Sequence, residues 1–145
     1  MDLVIGIGNS LRRDDGVGPR VVEALAAFPS VEACVVCELV PELTLRLRGA
    51  RRVLFVDAGA GGAETQLGHV TGRESGWGHT LGPDGLLELA ARAFGSAPDA
   101  WVLSVPGFDF GYGEGLSDRA EGFVPQAVER ASRWLSEGDV PGHGA

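Results

Sequence analysis

Short, wholly apolar stretches alternate with stripes of helical spacing along most of this chain. Leu3–Gly8 has the length of a buried strand, and Asn9–Gly16 after it reads as a loop. Val17, Val21, Leu25 and Phe28 then recur at the spacing of one helix face, widened by Val22 and Ala24, until Pro29–Ser30 stops the pattern. Val31–Leu39 predicts a second strand, and Pro41–Arg48 a short helix with its proline at a tolerated first-turn position. Val53–Val56 is a continuous apolar run, the mark of a strand covered on both faces, and it leads into the glycine-rich loop Gly59–Ala63. Gln66–Thr71 predicts another short strand, and Glu74–Gly85 a second loop. Leu86, Leu87, Ala90, Ala93 and Phe94 outline an amphipathic helix, Ala100–Val105 a further buried strand, and Phe108–Gly115 a loop rich in glycine and aromatics. Ser117 is placed to cap a short turn, and Val124, Val128, Ala131 and Leu135 mark a last helix with Pro125 in its first turn.

This alternation of strands and helices predicts an α/β domain, a mostly parallel sheet with helices on both faces. In such sheets ligands sit outside the carboxyl ends of the strands. The length of 145 residues fits one domain, here 1–137, with the patternless 138–145 as a tail.

Charge narrows the partners. The net charge is −8, and the arginines are scattered apart from Arg12–Arg13 and Arg51–Arg52, so a nucleic-acid partner is not expected. The run after Met1 is too short for a signal peptide, and no stretch approaches the roughly 20 apolar residues of a membrane span. The expected compartment is the cytoplasm. Cys34 and Cys37 form a lone C-x-x-C; on a strand they would point to opposite faces, which favours two reduced core thiols over a metal site.

Gly6-Ile7-Gly8-Asn9-Ser10-Leu11 follows the first strand much as a dinucleotide fingerprint would, but Leu11 stands where the third glycine belongs. Asp14 and Asp15 also stand at the start of the next helix, where they would repel a pyrophosphate. Asp14 reads as the helix N-cap. Asp15, flanked by Gly16 and Gly18, has open space around its carboxylate and is a candidate ligand or catalytic group. Asp57 ends the apolar run Val53–Val56, and His79 lies in the loop before a helix. Converging at one sheet edge, Asp15, Asp57 and His79 would suit a divalent metal such as nickel or zinc. No G-x-S-x-G surrounds Ser10, Ser75, Ser104 or Ser117, so no serine nucleophile is indicated.

These residues resemble the [NiFe]-hydrogenase maturation proteases. Gly6-Ile7-Gly8-Asn9-Ser10-Leu11-Arg12-Arg13-Asp14-Asp15-Gly16-Val17-Gly18 is similar to that family's opening motif. Phe55-Val56-Asp57-Ala58 resembles its strand ending in Asp-Ala, His79 its loop histidine, and Gly113-Glu114-Gly115-Leu116-Ser117 its late G-x-G-L-S. The resemblance spans Leu3 to Leu135 and implies a three-layer α/β/α sandwich around a five-stranded, mostly parallel sheet.

It further implies an endopeptidase that removes a C-terminal peptide from the nickel-loaded large subunit of a [NiFe] hydrogenase. Asp15, Asp57 and His79 match the family's metal trio, with nickel delivered by the substrate and none held tightly by the free enzyme. Hydrolysis would be metal-assisted, or one carboxylate, Asp15 or Asp14, would serve as general base, with Asp57 beside it. The expected partner is the large-subunit precursor, and the expected state is a monomer. The alternative from another class is a nickel-binding accessory protein that does not cut. The family's G-T-x-G after the second strand is replaced by Leu39-Val40-Pro41-Glu42-Leu43, which points to a different substrate subgroup. Trp77, Phe108, Phe110 and Tyr112 read as half-buried loop packing near the site.

Overall fold

The computed structural model describes residues 1–70 and 81–137. Five strands, β1 (Asp2–Ile7), β2 (Val31–Val36), β3 (Arg52–Ala60), β4 (Gln66–His69) and β5 (Asp99–Gly107), form one sheet in the order β2-β1-β3-β5-β4. All neighbours run parallel except β4, which lies antiparallel to β5 at one edge. The helices are α1 (Val17–Leu25), α2 (Thr44–Leu47), α3 (Pro83–Phe94) and α4 (Asp118–Ser136). Among the described residues no helix is long and apolar enough to cross a membrane.

The expected three layers are present, and strand alternation sorts them. Val4, Leu54, Val56, Leu103 and Val105 face Val17, Val21, Val22 and Leu25 of α1 and Ala127, Ala131 and Trp134 of α4. Leu3, Ile5, Val53 and Phe55 turn the other way, onto Leu43, Leu47, Leu86 and Ala90. Both faces of β1 and β3 are therefore covered, which is why these strands read as unbroken apolar runs. From β1 the chain steps outward to β2 through α1, then returns past β1 to β3 through α2 on the opposite face. At such a reversal the connections leave the carboxyl ends of the two strands in opposite directions and open a crevice between them.

Several boundaries differ from the sequence expectation. α1 ends at Leu25 and β2 at Val36. Pro41–Leu43 forms a 3-10 turn before the single α-turn of α2. β3 runs on to Ala60, so Gly59 belongs to a strand and not to a loop. α4 starts at Asp118, capped by the Ser117 hydroxyl, which accepts from the Ala120 amide at 3.2 Å. Pro125 therefore sits inside this helix and not in its first turn. The apolar stripe from Val124 hid the start, because the preceding turns are mostly polar.

The amino ends of the strands are tied by one buried ion pair. Asp2 and Arg52 are register neighbours on β1 and β3, and both are buried. Arg52 donates through Nε and Nη2 to the two Asp2 carboxylate oxygens and through Nη1 to the Trp134 carbonyl at 3.1 Å. Its guanidinium lies 3.8 Å above the Trp134 ring, which fixes the last turns of α4 against the sheet. Arg51 also reaches Asp2 at 3.3 Å from the solvent side, so it is the loss of Asp2 that strands a charge, Arg52, in the interior. Asp2→Ala is expected to cost about 3 kcal/mol in urea unfolding at neutral pH, and Asp2→Ala combined with Arg52→Met to cost less than Asp2→Ala alone.

Candidate functional site

The first loop reaches the sheet because two glycines let backbone meet backbone. Gly8 has φ +148°, and a Cβ there would lie 1.8 Å from the Asp15 carbonyl oxygen. A Cβ on Gly18 would lie 2.4 Å from the Val56 carbonyl oxygen and 2.7 Å from that of Ile7. The start of α1 thus rests directly on the ends of β1 and β3, and the G-x-G of the opening motif serves chain packing, not a phosphate cradle. Between these contacts, Asn9 organises the turn. Its side-chain oxygen accepts from the Leu11 amide at 2.9 Å, and its own amide donates to Asp15 Oδ2 at 2.7 Å.

Asp14 is not the N-cap that its position suggested. The residue before α1 is Gly16, no side-chain cap bond forms there, and Asp14 lies in a 3-10 turn over Arg13–Gly16. Its fully buried carboxylate turns toward the chain that follows β5. Oδ2 accepts from the amides of Phe108 (2.7 Å) and Asp109 (2.9 Å) and from the Ser117 hydroxyl (2.7 Å). Oδ1 accepts from the Ser117 amide at 2.7 Å. Burial pushes the Asp14 pKa up, but the hydrogen bonds from Ser117, Phe108 and Asp109 outweigh it and hold the carboxyl below its ordinary range. Backbone bonds from Asp14 to Asp109, Arg13 to Gly113 and Gly113 to Leu11 complete the joint. Sequence inspection missed this role, since the partners lie about a hundred positions away and a lone Asp before a helix looks like a cap.

Asp15 and Asp57 are brought to the same edge. Asp57 stands on β3 one residue beyond Gly6↔Val56, the last pair with β1, while its pairing to β5 continues through Ser104. Its carboxylate accepts from the Ala58 amide at 2.8 Å. Burial raises the Asp57 pKa; the Ala58 bond opposes this, and the negative charge of Asp15 adds to the rise. Two half-buried carboxylates close enough to repel form a place where a proton or a divalent cation is welcome. His79 lies outside the described residues, as does Trp77, and among the described residues no three metal-ligating side chains are grouped.

The other candidates fall elsewhere. Cys34 is half-buried with its thiol pushed up by burial, whereas Cys37 lies past the end of β2 and is exposed, so the pair is not two core thiols. Phe108 stacks on Phe123 and lies under the Arg119 guanidinium, but Tyr112 is 93% exposed and packs against little. Leu39 and Leu43, in the segment that replaces the family's G-T-x-G, are buried in the core. His69 pairs with Asp99 near the amino end of β5, away from the carboxylates.

Asp14→Asn keeps the shape but turns an acceptor oxygen into a donor facing amide N–H groups. The variant is expected to lose about 3 kcal/mol of stability at neutral pH by urea titration. A carboxyl whose folded pKa is depressed stabilises above its unfolded pKa and loses that contribution as pH falls through the folded value. The gap between wild type and variant should therefore be widest at neutral pH and narrow below about pH 4.

Similar architectures are known. The hydrogenase maturating endopeptidase HybD from E. coli is 23% identical, with a TM-score of 0.76 over 95% of this chain and 93% of that one. The hydrogenase 2 maturation peptidase from Thaumarchaeota archaeon SCGC_AB-539-E09 is 23% identical, with a TM-score of 0.67 over 92% and 97%. The [NiFe] hydrogenase maturation protease HycI from Thermococcus kodakarensis KOD1 is 24% identical, with a TM-score of 0.65 over 94% and 90%. No protein-family model matches the chain, and no curated protein matches it in sequence. The chain has the α/β fold of these maturation endopeptidases over nearly its whole length.

Proposed function

We propose that the chain is an endopeptidase that removes a C-terminal peptide from the nickel-loaded large subunit of a [NiFe] hydrogenase. What supports the reading is that Asp15 lies in the loop after β1 and Asp57 stands on β3 just past its last pair with β1, near enough that the Asp15 charge bears on Asp57, within a fold shared with maturation endopeptidases. A shared fold alone does not fix an activity; the carboxylate pair supplies the chemistry.

The nickel belongs to the substrate in this reading, and Asp15 and Asp57, with His79 as the third group, receive it. Bound there, the ion would lower the pKa of a water molecule and draw charge from the scissile carbonyl. The rest falls to the chain. The Asn9 amide fixes the orientation of the Asp15 carboxylate through Oδ2. Asp57 offers its carboxylate from β3, just past that strand's last pair with β1, with one oxygen held by the Ala58 amide. Asp14 is removed from the list of general bases, because its oxygens are buried and already accept from Phe108, Asp109 and Ser117. Specificity for loaded precursor then needs no separate sensor, since the precursor's own nickel completes the site.

The test is mass spectrometry of a large-subunit precursor from the same source, nickel-loaded and nickel-free, incubated with the protein. Loss of a C-terminal peptide from the loaded form alone is the expected result. No cleavage of either verified precursor would favour a non-cutting nickel-binding accessory role instead. Asp15→Ala and Asp57→Asn are each expected to slow processing on the order of a thousandfold or more, and normal processing by Asp15→Ala would exclude the carboxylate pair as the machinery.

A further inference from the structure

We infer that the open edge of β3 beyond Val56 pairs with an extended segment of the precursor and so lays the precursor's backbone beside Asp57. The inference rests on the endopeptidase reading and adds to it the conformation in which the substrate is held and the groups that hold it. β1 pairs with β3 as far as Gly6↔Val56, whereas β3 and β5 continue together to Ala60↔Gly107. Among the described residues no strand flanks Asp57–Ala60 on the side that β1 has left. The ladder fixes which backbone groups face that side. The Gly61 amide donates to the Gly107 carbonyl at 2.7 Å, so Asp57 and Gly59, at alternate positions before it, also turn their backbone groups toward β5. Ala58 and Ala60, lying between, turn their amides and carbonyls to the open side.

The two edges of this extension are treated differently by the sequence. On β5, Pro106 precedes Gly107 and therefore faces away from β3, where its missing N–H blunts the outer edge without costing a ladder bond. The β3 edge carries only Ala58, Gly59 and Ala60, with no proline, no charge and no side chain larger than a methyl, and Ala60 is exposed. One donor of that edge is already used, since the Ala58 amide donates to Asp57 Oδ1 at 2.8 Å. Because that amide points to the open side, the Asp57 carboxylate lies in the path of a chain laid along the edge. The Ala58 carbonyl, the Ala60 amide and the Ala60 carbonyl are left to bind such a chain. Acceptor, donor and acceptor at strand spacing match the main chain of a peptide, whatever its side chains. A segment bonded to them brings its next peptide unit against Asp57 and the neighbouring Asp15, whose charge bears on Asp57. The precursor's C-terminal stretch must therefore be extended, and free of its own fold, when it is cut.

The Ala60 amide is itself the reporter. Its hydrogen exchange is measured by NMR on isotope-labelled protein, with and without a synthetic peptide covering the C-terminal stretch of the large-subunit precursor. Cleavage of the nickel-loaded precursor is followed in parallel. The peptide is expected to slow Ala60 exchange about tenfold or more. A strand turns alternate amides to opposite sides, so N-methylation of the peptide in one register should abolish the protection and in the other should leave it. Ala60→Pro deletes the edge donor but no β3–β5 bond, because the Ala60 amide does not face β5. That variant is expected to keep its melting temperature and to raise KM about tenfold with a smaller change in kcat. The register comparison uses the unaltered protein and decides independently of how Ala60→Pro folds. Equal loss of protection in both registers, or a folded Ala60→Pro variant with unchanged KM, would overturn the strand pairing. An unprotected Ala60 amide with the precursor still cleaved would overturn the edge and leave the endopeptidase standing. Register-dependent protection without cleavage would keep the edge as a peptide site and overturn the endopeptidase; neither protection nor cleavage would overturn both.

Discussion

A buried carboxylate ties together two loops that lie about a hundred positions apart in the sequence. Asp14 accepts hydrogen bonds from Phe108, Asp109 and Ser117, and so welds the loop after β1 to the loop after β5. The Ser117 hydroxyl is used twice, donating to Asp14 and accepting from Ala120 at the first turn of α4. A charged acceptor among neutral donors in a dry interior makes short, strong bonds and is costly to leave incomplete. The geometry of Asp15 follows from this, since it is the next residue in the same 3-10 turn and is steadied from the other side by Asn9. Two adjacent acids thus divide their work: one is locked inward as structure, the other is left at the crevice.

The sheet contributes the second carboxylate by a change in width. β1 stops pairing at Val56, while β3 and β5 continue together to Ala60 and Gly107. Asp57 sits on the step where the covered sheet gives way to a two-stranded extension. That explains its partial burial and the upward push on its pKa, because apolar strands lie behind it and the crevice in front. The Asp2–Arg52 pair anchors the opposite ends of the same strands and ties them to α4 through Trp134.

Much of the architecture was legible in the sequence because period and covering agree. The buried runs Leu3–Gly8, Val53–Val56 and Ala100–Val105 all became central strands, and the stripes beginning at Val17 and Leu86 became helices. Boundaries slipped where local signals competed with tertiary ones. Gly59 looked like loop yet pairs with β5, and Pro125 looked like a helix start yet lies well inside α4. Asp57 could be placed at a strand end because it closes the apolar run Val53–Val56, and Asp15 in the loop that follows the first strand. The inward turn of Asp14 did not, because its meaning depends on Ser117, and no local pattern links the two.

That distance has a consequence for how the molecule comes into being. The bond from Ser117 to Asp14 closes a loop of 103 positions, so the crevice is defined only after most of the chain is available to fold. Local contacts, α1 against β1 and β2 beside β1, can form long before. A nascent or truncated chain would hold Asp15 by Asn9 alone, without the bonds that Asp14 makes to the loop after β5. The order of synthesis therefore keeps Asp15 and Asp57 from taking their final places on an unfinished polypeptide.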